Sequence, residues 1–145
     1  ENFLNKVVQL NFNSTFLATQ QVLPYMTSGS SIVNFASQAG RDGGGPGASA
    51  YAASKGAVIT FTRSMAKELG QQGIRVNSLC PGMITTTFHD TFTKDEVRSN
   101  VANATPLKRE GRPDEMATTV SFLLSDESSF LTGVNLDTNG GLVFS

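Results

Sequence analysis

Three short, mostly apolar runs lie at wide intervals along this 145-residue chain: Ser31–Ser37, Ile74–Cys80 and Gly133–Asp137. Each is of strand length, and a stretch with apolar residues at helical spacing comes before each one. Continuous apolar runs of this kind suit strands buried on both faces, as in parallel sheets. The order reads helix, strand, helix, strand, helix, strand. That alternation predicts an α/β fold with a parallel sheet. Three strands make a thin sheet, and the chain opens on a helix with no strand before it.

The helical stretches carry their own marks. Over residues 1–27, Phe3, Leu4, Val7, Val8, Phe12, Phe16, Leu17 and Val22 recur on one face. Asn11 to Thr15 places poor helix formers in the middle, which predicts a kink or a side-chain hydrogen-bonding site. Ala50–Leu69 reads as a second helix, closed by Gly70 and Gly73. A third starts at Pro113, with Asp114 and Glu115 in its first turn where the helix dipole favours acids. Between Gln38 and Ser49 lie Gly40, Gly43, Gly44, Gly45, Pro46 and Gly47, so a loop without regular structure is expected there. Residues 83–110 are polar and irregular, expected to be a loop with one short helix.

Composition narrows the function classes. A net charge of −1 with 16 % charged residues lacks the basic footprint of a nucleic-acid binder. No apolar run reaches membrane-spanning length, and the amino terminus has neither a basic start nor a cleavable apolar stretch. One cysteine, Cys80, and one histidine, His89, make a His/Cys metal site unexpected. A cytoplasmic protein acting on a small molecule is the expectation, with no nucleic acid and no membrane as partner.

Chemistry is expected at the carboxyl ends of the strands, where ligands bind open parallel sheets. The first strand delivers Ser37 there, and the second delivers Pro81-Gly82 and then Thr85-Thr86-Thr87. The helix after the glycine-rich loop begins with Tyr51, and Lys55 follows one turn later on the same face. A cation beside a phenol favours the phenolate, so the pair suits proton transfer near neutral pH. Ser37, Tyr51 and Lys55 would then converge on one crevice, suited to carbonyl/alcohol interconversion. The hydride would have to come from a cofactor, because no side chain supplies one.

These motifs together resemble the carboxy-terminal part of the short-chain dehydrogenase/reductase family. Ile32–Ser37 is similar to its strand ending in the substrate-binding serine, with Ala36 where the family pairs two serines. Tyr51-Ala52-Ala53-Ser54-Lys55 is similar to its Y-x-x-x-K. Arg75-Val76-Asn77 followed by Pro81-Gly82-Met83-Ile84-Thr85-Thr86 is similar to its R-V-N…P-G-x-I-x-T run. Leu107–Glu115 and Gly133–Gly141 resemble the entry to its last helix and its closing strand. The similarity runs over essentially the whole chain.

The resemblance implies a Rossmann-like doubly wound parallel sheet, with residues 1–145 as the carboxy-terminal part of one domain. It implies that Tyr51 is the general acid/base, that Lys55 assists it and holds the nicotinamide ribose, and that Ser37 polarises the carbonyl. Asn11 would anchor a water in the proton relay. Pro81, Gly82, Ile84 and Thr86 would meet the nicotinamide carboxamide of NADP or NAD. Gln38 and Arg41 would touch substrate, Arg41 through a substrate carboxylate. Homodimers or homotetramers, associating through the Tyr51 helix and the first helix, are also implied. The family's glycine-rich dinucleotide loop and its Asn-Asn-Ala-Gly strand have no counterpart here, and Gly40–Gly47 has the wrong place and spacing. A fragment of a longer enzyme is therefore expected. The segment Ser37–Gly47, with Phe88-His89 and Thr93-Lys94, is similar to bacterial reductases of alginate-derived uronates. A 3-oxoacyl carrier-protein reductase is the rival, and an inactive truncated chain that keeps only an association surface is the other class.

Overall fold

The computed structural model describes residues 1–144. Helix α1 (Asn2–Val8) continues into α2 (Ser14–Val22) through a π-helical turn at Gln9–Asn13. The poor helix formers sit at this turn and bond to carbonyls one turn back. Asn11 Nδ2 donates to the Val7 carbonyl at 3.1 Å, and Thr15 Oγ1 to the Asn11 carbonyl at 3.0 Å. Side chains that compete for backbone acceptors loosen the i−4 ladder, which is how a wide turn enters a helix.

Strand β1 (Ser31–Phe35) leads to a single helical turn, α3 (Ala39–Asp42), inside the glycine-rich segment expected to be all loop. Gly43 follows with φ 88°, the left-handed conformation that ends the turn after one cycle. Helix α4 (Ser49–Leu69) crosses back to β2 (Arg75–Pro81). Two helices then occupy the segment expected to hold one, α5 (Thr87–Phe92) and α6 (Asp95–Ala104). Helix α7 (Pro113–Leu124) precedes β3 (Asn135–Thr138).

All three strands are parallel, in the order β1-β2-β3. Ser31 lies opposite Arg75, Phe35 opposite Leu79, and Pro81 opposite Thr138, so the carboxyl ends of the strands open on one edge. The central strand is buried from Val76 to Cys80 without alternation. A strand covered on both faces has this profile. Val76 and Cys80 join Val58, Ile59, Met65, Ala66 and Leu69 of α4, while α7 also contacts β1 and β2.

The Arg75-Val76-Asn77 motif is structural here. The Arg75 guanidinium donates to the carbonyls of Leu123 and Ser125 at 3.0 Å each, at the electronegative end of α7. Fully buried Asn77 donates from Nδ2 to the Leu131 carbonyl at 2.8 Å and accepts from the Val134 N–H at 3.0 Å. These bonds fasten the segment entering β3 to the central strand.

Candidate functional site

Ser37 follows β1 and begins the α3 turn, where its Oγ accepts from the Ala39 N–H at 3.2 Å. Gly40 lies against the backbone of α4. A side chain there would bring a Cβ within 2.8 Å of the Gly56 nitrogen and of the Lys55 carbonyl carbon. Only glycine permits this approach. It seats the Ser37 turn one helical turn beyond Tyr51.

Tyr51 and Lys55 lie on one face of α4, as the four-residue spacing predicts, with the Lys55 Nζ 5.8 Å from the centre of the Tyr51 ring. Tyr51 remains 36 % exposed, open to a reactant. The Lys55 ammonium donates to the Phe35 carbonyl at 2.8 Å, and burial pushes its pKa below the ordinary lysine value. Asn11 and Lys55 line one groove between the π turn and the outer edge of β1.

At the end of β2, the Gln38 N–H donates to the Pro81 carbonyl at 3.0 Å, joining the Ser37 turn to the Pro81-Gly82 turn. Gly82 fits closely beside β3, and a Cβ there would lie 2.8 Å from the Asn139 Cβ. Ile84 forms a parallel bridge with Gly111. The Thr86 hydroxyl donates to the Ile84 carbonyl at 3.3 Å, just before α5.

Two residues expected at the substrate are engaged within the protein. Gln38 Nε2 donates to Asp42 Oδ2 at 2.7 Å. Arg41 Nε stands 2.6 Å from Asp137 Oδ1, with the two side chains only 13 % and 15 % exposed. A guanidinium neutralised in this way has no free charge for a substrate carboxylate. The signal in the sequence was Asp137, an acid set in a short strand.

The sequence reading also missed a clasp behind the site. Arg98 on α6 binds Glu110 through both carboxylate oxygens at 2.7 Å and reaches Asp90 on α5 at 2.6 Å. Thr85 adds a hydrogen bond of 2.8 Å to Glu110. The Arg98 and Thr85 donors hold the Glu110 carboxyl down at about 2. His89 on α5 bonds Thr93 through Nδ1 at 2.8 Å, and burial lowers its pKa.

The donor set suits the nicotinamide-ribose end of a dinucleotide. A hydroxyl and an ammonium project from one helix face, and the strand-end turn Pro81-Gly82 is tied to the Ser37 turn. Gly40 of the glycine-rich segment is committed to packing on α4.

Residues 1–143 match the sequence model of a family described as enoyl-(acyl carrier protein) reductase. The 3-oxoacyl-(acyl-carrier-protein) reductase of Thermotoga maritima is 42 % identical over 139 residues, which cover 94 % of this chain and 56 % of that protein. The 2-dehydro-3-deoxy-L-rhamnonate dehydrogenase (NAD(+)) of a Sphingomonas species is 38 % identical over 138 residues, 94 % of this chain and 55 % of that protein. A crystal structure of a short-chain dehydrogenase/reductase from Brucella melitensis, described as glucose/ribitol dehydrogenase, superposes with a TM-score of 0.93 at 32 % identity. It is matched over 100 % of this chain and 58 % of that one. The chain thus spans about half the length of the relatives it matches.

Proposed function

The chain belongs to the short-chain dehydrogenase/reductase family, and from that premise we propose that it carries the proton-transfer half of a nicotinamide-dependent oxidoreductase interconverting a carbonyl and an alcohol. The activity is that of the whole protein, of which residues 1–145 would be the catalytic part of one Rossmann-like domain. The observation that carries the reading is the Tyr51/Lys55 face of α4, set against a Ser37 turn that Gly40 seats on the same helix.

NAD or NADP, when bound, supplies or accepts the hydride. Tyr51 holds the proton that the alkoxide takes up, and returns to phenolate beside the Lys55 cation. Ser37 donates its hydroxyl hydrogen bond to the carbonyl oxygen, strengthening as charge develops there. Lys55 would also hold the ribose hydroxyls of the bound cofactor. Asn11, across the groove from Lys55, holds a water for proton exchange with solvent. Pro81, Gly82, Ile84 and Thr86 would hold the nicotinamide amide.

Two substrate classes follow from the resemblance, a keto sugar acid and a 3-oxoacyl thioester. The sugar-acid reading rests on the likeness of Ser37–Gly47, Phe88-His89 and Thr93-Lys94 to uronate reductases; within that segment Arg41 is paired with Asp137. The Sphingomonas relative is named for a sugar acid and the Thermotoga relative for a 3-oxoacyl group, so both are assayed. Exposed Phe3, Leu10, Phe16 and Leu17 on the first helical pair suit association with further protein, as a homodimer or homotetramer would need. No helix among the described residues is long and apolar enough to cross a membrane.

The test is Tyr51→Phe in the full enzyme, followed by loss of reduced nicotinamide with each substrate class. Turnover should fall by at least about 1,000-fold, within the range for an acid/base plus its oxyanion contact, with cofactor affinity unchanged. Turnover within tenfold of the parent would overturn the assignment. Titration of the chain itself with NADH and NADPH separates an active piece, which binds saturably at micromolar levels, from an inactive one, which does not.

A further inference from the structure

A charge pair that the proposed chemistry does not use crosses the carboxyl end of the sheet. Arg41, on the turn that begins with Ser37, reaches over β2 to Asp137 on β3, and also donates from Nη2 to the Asn135 carbonyl. Among the described residues, the buried Nε and Oδ1 atoms have only each other, at 2.6 Å. The β2 residue opposite Asp137 is Cys80, a fully buried thiol. An ion pair in such surroundings does little for net stability, since desolvation offsets most of the attraction. Its use must lie in what it positions.

The Ser37 turn is also held through its backbone. The Gln38 N–H reaches the Pro81 carbonyl at 3.0 Å, and Gly40 sits on the α4 backbone at Lys55 and Gly56. Arg41 adds a side-chain tie from this turn to the far strand of the sheet. The same strand that carries Asp137 continues to Thr138, whose carbonyl accepts from the Gly82 N–H at 3.2 Å. One ion pair therefore links the serine turn to the strand that backs the Pro81-Gly82 turn.

We propose that Arg41 and Asp137 are positioning residues that hold the Ser37 hydroxyl in register with Tyr51 and the Pro81-Gly82 turn, and that neither touches substrate. The proposal rests on the reading of Ser37 and Tyr51 as the carbonyl-handling pair. Placement errors on the ångström scale cost about 100-fold in rate, which sets the size of effect to look for.

The experiment compares Arg41→Gln, Asp137→Asn and the double variant in the full enzyme, with one anionic and one uncharged carbonyl substrate. Amide exchange at Ala39 and Gly40 is read in parallel on each folded variant. Each single variant should lower kcat about 10- to 100-fold for both substrates, with KM within about threefold. Exchange at Ala39 and Gly40 should speed at least about tenfold, with the α4 amides unchanged. The double variant should match the singles, because all three remove one link. A rise in KM for the anionic substrate alone with Arg41→Gln would overturn the proposal in favour of substrate contact. Unchanged kcat and unchanged exchange at Ala39 and Gly40 in Asp137→Asn would overturn it outright. If a single variant does not fold, Arg41→Lys and Asp137→Glu take its place with the same expected direction. Failure of the underlying reading has a separate signature, turnover retained by Tyr51→Phe, and the exchange measurement does not depend on it.

Discussion

The Lys55 ammonium donates to the Phe35 carbonyl at 2.8 Å, tying α4 to the last residue of β1. That bond parks a cation at the strand end from which Ser37 departs. It also half-buries the ammonium, and the loss of hydration pushes its pKa down.

The pH dependence of stability should reveal that cost. The folded-state pKa of Lys55 lies below the ordinary 10.5, so between the lowered value and 10.5 the unfolded chain binds more protons than the folded one. Stability linked to this residue therefore rises with pH across that window. Below it, the full cost of the buried ammonium is present. Urea unfolding of the protein and of Lys55→Met from neutral pH upward checks this. The difference between them should shift in favour of the parent as pH approaches 10.5, and a flat difference would refute the linkage.

Gly40→Ala should lower stability by about 1–3 kcal/mol, the range for overpacking a tight contact. Its Cβ would press into α4 backbone at 2.8 Å, where no flexible side chain can yield. Gly45→Ala is the control, because nothing lies within 4 Å of its Cβ position. It should stay within about 0.5 kcal/mol of the parent. Equal unfolding midpoints for the two variants would refute the packing argument.

Asn77→Ala should cost about 1–3 kcal/mol in chemical denaturation, since it removes the partner of the Val134 N–H and leaves the Leu131 carbonyl only the longer bond from Arg75. Amide exchange at Val134 should rise well above that of the α4 core. A loss under about 1 kcal/mol would mean that another group replaces Asn77 as partner.

Acid should open the α5/α6 lobe first. The Glu110 carboxyl is held at about 2 against an ordinary 4.5, chiefly by its hydrogen bonds from Arg98. A depressed carboxylate contributes stability that is present above 4.5 and is lost as pH falls toward 2. Glu115, held at about 2 by Arg109, behaves alike at the start of α7. Thermal midpoints between pH 5 and 2 should fall less steeply in Glu110→Gln than in the parent. Identical slopes would dismiss the Arg98–Glu110 clasp as a contributor.

How much could be read in advance depends on how local each signal was. The strands and α4 are continuous apolar or periodic runs, and the side-chain hydrogen-bonding site at Asn11–Thr15 follows from side chains that bond their own helix. Helix α6 was not legible. Its only apolar side chains larger than alanine are Val97 and Val101, and it depends on an acidic first turn and on Arg98 reaching Glu110. Helix α3 was hidden by neighbouring glycines, of which Gly40 serves packing and Gly43 the stop.

The sequence by itself determined the α/β order, the parallel strands and the shared face of Tyr51 and Lys55, because each follows from spacing within one element. Tertiary structure alone decided where the Ser37 turn sits and what Arg41 binds. Those depend on a glycine touching another helix's backbone and on an acid from a strand far along the chain. A side chain's spacing limits where it can point, but only its neighbours in space decide whether its charge is free.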